Sequence, residues 1–332
     1  MKRTLALAWY CPSEGDGRHL GTRRPEQEPT LAHLAAVATA AERAGATEIL
    51  IPTGTVNDSF APDAPFMESW TTASALAAIT RRIRLLVAVN PAPLRPELAA
   101  HQAETLERIA PGRIAINLVA GGGPETGYGA PALDHAGRYA RLGALADALR
   151  ERFAGPLYLG GASDAAVALA CRVADTYLMW GEPPEAIAAR VAAVREAAAG
   201  RPMRFGVRVH IIARDTDREA REAAASLVSR AEVMADRASE YAAFDSVGQA
   251  RMNAIAADGD GWVAPGLWAG IRGVRGGAGT ALVGSHARVA ELLGAYREAG
   301  VGLVIGSGYP HDAEVDRVGT RVWPLLARER VA

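Results

Sequence analysis

The chain has 332 residues, of which 49% are hydrophobic, so it can bury a large α/β core. Its 36 basic and 37 acidic residues leave a formal net charge of −1, which argues against a nucleic-acid-binding or membrane-surface protein. Cys11 and Cys171 match no disulfide or zinc pattern, and no apolar run approaches the roughly 20 residues of a membrane-spanning helix. We therefore expect a cytoplasmic protein.

Eight apolar runs predict β-strands, and the first of them, T-L-A-L-A-W, is too short for a secretory signal. The predicted strands cover residues 4–9, 47–52, 83–89, 113–119, 156–159, 175–180, 205–212 and 301–305. Most of the gaps between them hold a segment with the helical period. One such segment places Ile187, Val191, Val194 and Ala198 on one face and ends at Gly200, a residue type common just beyond a helix.

Strands that alternate with helices predict parallel pairing, and strands that are apolar throughout predict a sheet covered on both faces. Eight such units indicate a closed (β/α)8 TIM-type barrel in a single domain spanning residues 1–332, with an open doubly wound sheet as the alternative. Two irregularities interrupt the pattern. A glycine-rich insertion at about residues 230–285, after strand seven, is predicted to be a lid, and the passage at 150–156 is unusually short.

In a barrel of this kind, polar residues at the carboxyl ends of the strands form the site. Arg208 and His210 lie two residues apart on strand seven and therefore leave it on the same face. Together with Arg275 in the predicted lid, they would form an anion site at the barrel mouth. The alternative reading makes Arg208 a barrel ion-pair residue and His210 an ordinary core histidine.

Several motifs carry little information. The run G-G-A-G-T-A-L-V-G has neither the lysine of a phosphate-binding loop nor the spacing of a dinucleotide fingerprint. The seven histidines include no H-E-x-x-H pair, so no metal site is predicted. I-G-S-G-Y lacks the nucleophile elbow of a hydrolase.

Many blocks of the sequence resemble the flavin-dependent alkanesulfonate monooxygenases of the bacterial luciferase-like superfamily. They include G-D-G-R-H-L-G-T, P-L-Y-L-G-G-A-S-D, Y-L-M-W-G-E-P-P, F-G-V-R-V-H-I-I-A-R, L-W-A-G-I-R-G-V-R-G-G-A-G-T and S-G-Y-P-H. The resemblance implies reduced FMN as cofactor, O2 as cosubstrate, an NAD(P)H-dependent flavin reductase as partner, and a homodimer or homotetramer. It also implies oxidation of a sulfonate to an aldehyde and sulfite.

The resemblance assigns catalytic roles to Arg208, His210, Arg275, Tyr309 and the tryptophan Trp180. Physically, the two arginines would hold an anionic group, His210 would transfer a proton near neutral pH, and Tyr309 would donate a hydrogen bond.

For the flavin, the turn of Gly160, Gly161, Ala162 and Ser163 opens the helix after strand five, where backbone N–H groups suit a phosphate. Tyr139 resembles a phosphate-contacting tyrosine of the superfamily, with an ordinary tyrosine of an amphipathic helix as the alternative. Asn117, at the end of strand four, would reach the edge of the isoalloxazine ring.

Two departures from the family pattern bear on the substrate. Asn57 stands where the alkanesulfonate enzymes have a cysteine, and Glu14 stands where they have a histidine. A carboxylate at the mouth would repel a sulfonate unless it makes another contact, and it could recognise an amine instead. An amino-acid-like or specialised substrate, a deazaflavin-dependent oxidoreductase and a non-catalytic flavin-binding protein are therefore alternatives to a sulfonate monooxygenase.

Overall fold

The structure is a computed structural model that describes residues 4–54, 56–57, 59–121, 133–231, 246–255 and 260–328. Eight parallel strands form its centre. In chain order they are β1 (Ala6–Tyr10), β2 (Glu48–Ile51), β3 (Arg84–Val89), β4 (Ile114–Leu118), β5 (Leu157–Gly160), β6 (Thr176–Trp180), β7 (Arg204–Arg214) and β11 (Leu303–Ser307). Each of the eight predicted runs overlaps one of these strands.

The sheet closes on itself because β11 pairs in parallel with both β1 and β7. Leu303 of β11 is aligned with Ala6 on one side and with Gly206 on the other. A sheet without free edges is a barrel, so the predicted (β/α)8 fold is confirmed and the open doubly wound sheet is excluded.

Helices surround the barrel. They are α1 (Leu31–Arg43), α2 (Ser69–Ile79), α3 (Pro96–Ile109), α4 (His135–Arg152), α5 (Asp164–Val173), α6 (Pro184–Ala197), α7 (Asp217–Leu227), α8 (Val247–Ile255), α9 (His286–Glu298), α10 (His311–Arg317) and α11 (Trp323–Arg328). A π-helical turn, Val318–Val322, joins the last two. Within the described residues, no helix has the length and apolarity that a membrane crossing requires.

Alternation along the strands divides the core into an outer layer and a barrel interior. On β1, Leu7 and Trp9 pack among the helices, whereas Ala8 and Tyr10 point into the barrel. On β7, Val207 and Val209 pack outward. Because successive side chains of a strand point to opposite faces, Arg208 points inward, as its position on the strand predicted.

The insertion after β7 contains strands that the sequence analysis missed. β8 (Trp262–Ala264) and β9 (Leu267–Trp268) are antiparallel, and β10 (Ala281–Ser285) pairs in parallel with the distal part of β7. Strand seven is accordingly longer than predicted and ends at Arg214. The glycine content of the segment concealed these short strands, which pack in a small apolar cluster with α7. Residues 232–245 and 256–259 of the predicted lid lie outside the described residues, and its role as a lid stays a prediction.

Candidate active site

A cavity of about 330 Å3 opens at the carboxyl ends of the barrel strands. Its wall is contributed by β1, β2, β4, β5, β6, β7 and β11, by the start of α8 and by the glycine-rich segment 275–278. Sites of this fold form where the strand-to-helix loops converge, so the cavity lies where the sequence analysis placed the site.

Arg208 brings a buried positive charge to this cavity. Only 7% of its surface is exposed, and its guanidinium lies 4.6 Å from the centre of the Tyr10 ring. In the described part of the chain, its one hydrogen-bond acceptor is the carbonyl of Val209, at 3.1 Å. Burial, with a smaller contribution from the charge of Arg275, lowers the pKa of Arg208 to about 10. The group therefore stays charged at neutral pH and keeps unused N–H donors at the cavity wall.

Arg275 supplies a second cation from the glycine-rich segment. It is as buried as Arg208 and lies 5.6 Å from the centre of the same Tyr10 ring. Its Nη1 donates a 2.9 Å hydrogen bond to the hydroxyl of Tyr309, and its Nη2 lies 3.6 Å from a carboxylate oxygen of Glu14. Two guanidinium groups thus lie near one aromatic ring.

Glu14 is the acidic member of the cluster. One of its carboxylate oxygens accepts a 2.8 Å hydrogen bond from the Tyr10 hydroxyl, and the other accepts a 2.9 Å hydrogen bond from the Ser59 hydroxyl. The residue is 6% exposed and lines the cavity. Its contact with Arg275 gives this carboxylate a cationic partner within the protein.

Asn57 does not reach the cavity. Its Nδ2 donates to the backbone carbonyls of Glu14 and Pro65, at 2.7 and 2.9 Å, and its Oδ1 accepts from the backbone N–H groups of Ser59 and Phe60. The side chain is fully buried. Asn57 therefore holds the loop after β2 against the loop after β1, and through both it fixes the position of Glu14.

His210 lies behind the cavity wall and is fully buried. Its Nε2 faces the carbonyl oxygen of Ala278 at 2.8 Å, so this nitrogen carries the hydrogen and donates it. Its Nδ1 lies 2.7 Å from the hydroxyl of Ser307, which then donates to it. Burial, followed by the charges of Arg208 and Arg275, lowers the pKa of His210 well below its usual value. The ring is neutral and satisfied on both sides.

The other side of the cavity is built from glycines and the start of α5. Gly161 has φ = +143°, and a Cβ there would lie 2.6 Å from the Cβ of Ala166 and 3.2 Å from the Tyr139 hydroxyl. Ser163 caps α5 through its side chain, which accepts a hydrogen bond from the backbone N–H of Ala166. Only a glycine leaves the backbone open at this helix N-terminus, which is the geometry that suits a phosphate.

The predicted site residues divide into two groups. Eight line the cavity: Trp180, Arg208, Arg275, Asn117, Tyr139, Gly160, Gly161 and Ala162, and Glu14 joins them from the predicted substrate pocket. Four lie outside its wall: His210, Tyr309, Ser163 and Asn57. Tyr309 contacts the site through Arg275, and its ring stacks on that of His210 with the ring centres 5.6 Å apart.

The sequence analysis missed three cavity residues that the structure reveals. Tyr10 ends β1 and contacts both arginines through its ring, and the same rule of polar residues at strand ends could have found it. Glu182 follows β6 and accepts hydrogen bonds from Arg251 at 2.7 and 3.3 Å. Arg190, on α6, also lines the cavity and lies 3.7 Å from Glu182. The sequence rule for strand ends could not find Arg190, because this residue lies on a helix.

A buried cluster of one aspartate and two histidines was missed as well. Asp16 lies 2.9 Å from Nδ1 of His311 and 3.0 Å from Nε2 of His33, and it accepts the backbone N–H of His311. Burial alone would raise the pKa of Asp16, but the attraction of His311 and the hydrogen bonds from both histidines lower it well below the usual value. The cluster joins the loop after β1 to α1 and α10. Across the described ranges, no three ligand side chains form a metal-binding group.

The fold and this cavity define a TIM-type barrel with two buried arginines, Arg208 and Arg275, at its mouth. A family model described as luciferase-like monooxygenase matches residues 6–302, and the chain belongs to that family. It is therefore an enzyme of the luciferase-like monooxygenases.

Several solved structures share this fold. A riboflavin lyase, RcaE, has a TM-score of 0.79 at 18% identity, with 99% of this chain and 93% of that chain covered. The long-chain alkane monooxygenase LadA has a TM-score of 0.77 at 16% identity, covering 99% and 92%. The EDTA monooxygenase EmoA from Chelativorans sp. BNC1 has a TM-score of 0.76 at 17% identity, covering 98% and 94%.

Proposed function

We propose that the protein is the oxygenating component of a two-component monooxygenase that uses reduced FMN and O2 to oxidise a small organic anion. The first candidate substrate is an alkanesulfonate, which would be converted to an aldehyde and sulfite. An NAD(P)H-dependent flavin reductase would supply the reduced FMN, and a homodimer or homotetramer is the expected assembly.

The observation that carries this proposal is the buried guanidinium of Arg208. A charged group in a cavity is costly unless something compensates it, and the described protein groups leave most of its donors unused. An anionic group of a substrate would accept those hydrogen bonds as charge-assisted contacts. Arg275, which also lies near the Tyr10 ring, would contribute the second cation.

The residues on the far wall fit FMN. Gly161 leaves space beside the N-terminus of α5 and the hydroxyl of Tyr139, where a phosphate would be held by backbone N–H groups. Asn117 and the stretch 118–121 form the adjoining wall, where the isoalloxazine ring would lie. The riboflavin lyase of similar fold was solved with a modified FMN, which supports this assignment. Reduced FMN, when bound, supplies the electrons that activate O2.

The residues of this chain would bind, orient and shield the reactants. Arg208 and Arg275 would fix the anionic group and stabilise negative charge that develops during oxidation. Tyr309 would hold Arg275 in position, and because burial raises the pKa of Tyr309, its hydroxyl keeps its proton at neutral pH. Trp180 would cover the cavity from the end of β6. His210 fits a positioning role for the segment that carries Arg275, since its Nε2 holds Ala278.

A second candidate is the same oxygenation of an amino-acid-like or specialised metabolite. Glu14 favours it only if its carboxylate contacts the ligand. Its hydrogen bonds to Tyr10 and Ser59 and its proximity to Arg275 already compensate that charge, so an amine is not needed to satisfy it. The sulfonate thus remains the first candidate.

The decisive test is sulfite release from short alkanesulfonates, with reduced FMN supplied by a generic reductase. A parallel reaction with a reduced deazaflavin separates the two cofactor classes. Sulfite with FMN supports the proposal. Flavin-dependent O2 consumption without sulfite would point to the second candidate, and turnover with the deazaflavin alone would refute FMN as cofactor. No turnover with any of these, but binding of FMN, would favour the non-catalytic flavin protein.

A matched pair of variants identifies the anion site within this assay. Arg208→Met removes the guanidinium that faces the cavity, whereas Arg195→Met removes a guanidinium from α6 that lies 5.0 Å from the ring of Phe205, on the outer layer of the barrel. Loss of turnover in the first variant but not in the second is expected. Equal turnover in both would contradict the role of Arg208.

A further inference from the structure

The arrangement of Glu14 points to a further property of the site, which rests on the function proposed above. Three ionised groups surround the Tyr10 ring at the cavity: the guanidinium groups of Arg208 and Arg275 and the carboxylate of Glu14. The neighbouring His210 ring is neutral at pH 7, because burial and the charges of Arg208 and Arg275 lower its pKa well below the usual value. Two cations and one anion leave a single net positive charge.

The position of the carboxylate is specified by several contacts. The Tyr10 and Ser59 hydroxyls bind one carboxylate oxygen each, and Asn57 holds the backbone carbonyl of the same residue. Glu14 belongs to the loop after β1, whereas Ser59 and Asn57 belong to the loop after β2. The loop after β2 therefore fixes the position of the Glu14 carboxylate. A buried carboxylate held by this many donors keeps its position when a ligand enters.

We propose that Glu14 is a specificity-determining residue that restricts the anion site to head groups with one negative charge, such as sulfonates and carboxylates, and excludes dianionic phosphonates and phosphates. Arg275 would contact both Glu14 and the ligand. Because the two arginines and Glu14 together carry one net positive charge, a monoanion would neutralise the cluster. A dianion would leave one uncompensated negative charge in a desolvated cavity beside a fixed carboxylate, which is strongly unfavourable.

Methanesulfonate and methylphosphonate test this proposal, because they have nearly the same shape but differ by one charge when the phosphonate is fully ionised. Binding is measured by titration calorimetry with the full-length protein, alone and with reduced FMN under anaerobic conditions. We expect the wild-type protein to bind methanesulfonate at least about tenfold more tightly than methylphosphonate. This comparison needs no variant, and tighter binding of the phosphonate would overturn the proposal.

Glu14→Gln removes the charge but keeps an oxygen that can accept one hydrogen bond. Repulsion between the ligand and the Glu14 carboxylate is proportional to the ligand's charge, so its removal lowers the binding free energy of a dianion twice as much as that of a monoanion. If the affinity for the monoanion rises by some factor, the affinity for the dianion should rise by about the square of that factor. The preference for methanesulfonate should therefore shrink at least about tenfold or reverse. Glu14→Asp keeps the charge and should retain the wild-type preference, whereas Glu182→Gln removes a carboxylate from the opposite wall and should also retain it.

The outcomes separate this inference from the function on which it rests. If neither anion binds the wild-type protein, with or without reduced FMN, the anion site itself is refuted. If methanesulfonate binds but the preference is unchanged in Glu14→Gln, the anion site stands and the role of Glu14 is refuted. If Glu182→Gln changes the preference as much as Glu14→Gln, the effect is the general charge of the cavity, and the specific role of Glu14 is again refuted.

Discussion

Replacing Arg208 with methionine should lower kcat/KM about 100-fold and leave the stability of the fold nearly unchanged. The lowering of its pKa from the usual value to about 10 corresponds to about 3 kcal/mol of unfavourable free energy for the charged guanidinium in the folded state. The cation–π contact with Tyr10 offsets roughly 2 kcal/mol of this, and methionine keeps much of the packing of the side-chain stem. We therefore expect the free energy of unfolding to change by less than about 1 kcal/mol.

Activity should respond very differently. Loss of a charge-assisted hydrogen bond to a bound anion costs roughly 3 kcal/mol, which corresponds to a fall of about 100-fold in kcat/KM. Urea denaturation followed by circular dichroism gives the stability, and steady-state turnover with reduced FMN gives the activity.

Arg204 on the same strand provides the matched control. It lies at the opposite end of the barrel, where its Nη1 is 3.4 Å from the carboxylate of the buried Glu48. Arg204→Met should lower the free energy of unfolding by about 1–3 kcal/mol and change turnover by less than about twofold. If Arg208→Met loses more stability than Arg204→Met and still turns over, then Arg208 is a structural ion-pair residue, and the reasoning is refuted.

Three further predictions concern other parts of the structure. Asp16→Asn should destabilise the protein by about 3 kcal/mol at pH 7 in urea denaturation, because it removes the charge that holds two histidines. The folded pKa of Asp16 is lowered, so its contribution is present above the unfolded pKa of about 4 and is lost as the pH falls below it; an acid-unfolding midpoint unchanged in the variant would contradict this. Gly161→Ala should weaken FMN binding at least about tenfold in a fluorescence titration, since the Cβ would lie 2.6 Å from that of Ala166, whereas Gly45→Ala, also at positive φ but with open space around it, should leave FMN binding unchanged. Burial raises the pKa of the Cys11 thiol to about 12, so it should resist alkylation by iodoacetamide at pH 8 in the native protein, and rapid labelling there would show that the residue is accessible.

The barrel itself could be predicted from the sequence because its signals are local. Apolar runs of strand length alternate with segments of helical period, such as the one that places Ile187, Val191 and Val194 on one buried face of α6. The face from which Arg208 leaves β7 also follows from alternation along a strand. The short strands β8 to β10 were missed because they lie in a glycine-rich segment. β10 pairs with the end of β7 and β9 pairs with β10, so these strands depend on their neighbours rather than on their own composition.

The residue types at the site were readable from the sequence, but their partners were not. Nothing in the spacing of Glu14, Ser59 and Arg275 indicates that the Glu14 carboxylate contacts both of the other residues. Loops from distant parts of the chain bring the three together. Asn57 was expected in the substrate pocket and instead fixes two loops. The sequence did not indicate that the His210 ring contacts Ala278 and Ser307, and proton transfer by His210 stays a prediction. The sequence thus determined the barrel and the charges at its mouth, because periodicity and strand ends are properties of neighbouring residues. Only the tertiary structure decided which charges compensate one another, because that depends on distances of a few ångströms between side chains far apart in the chain.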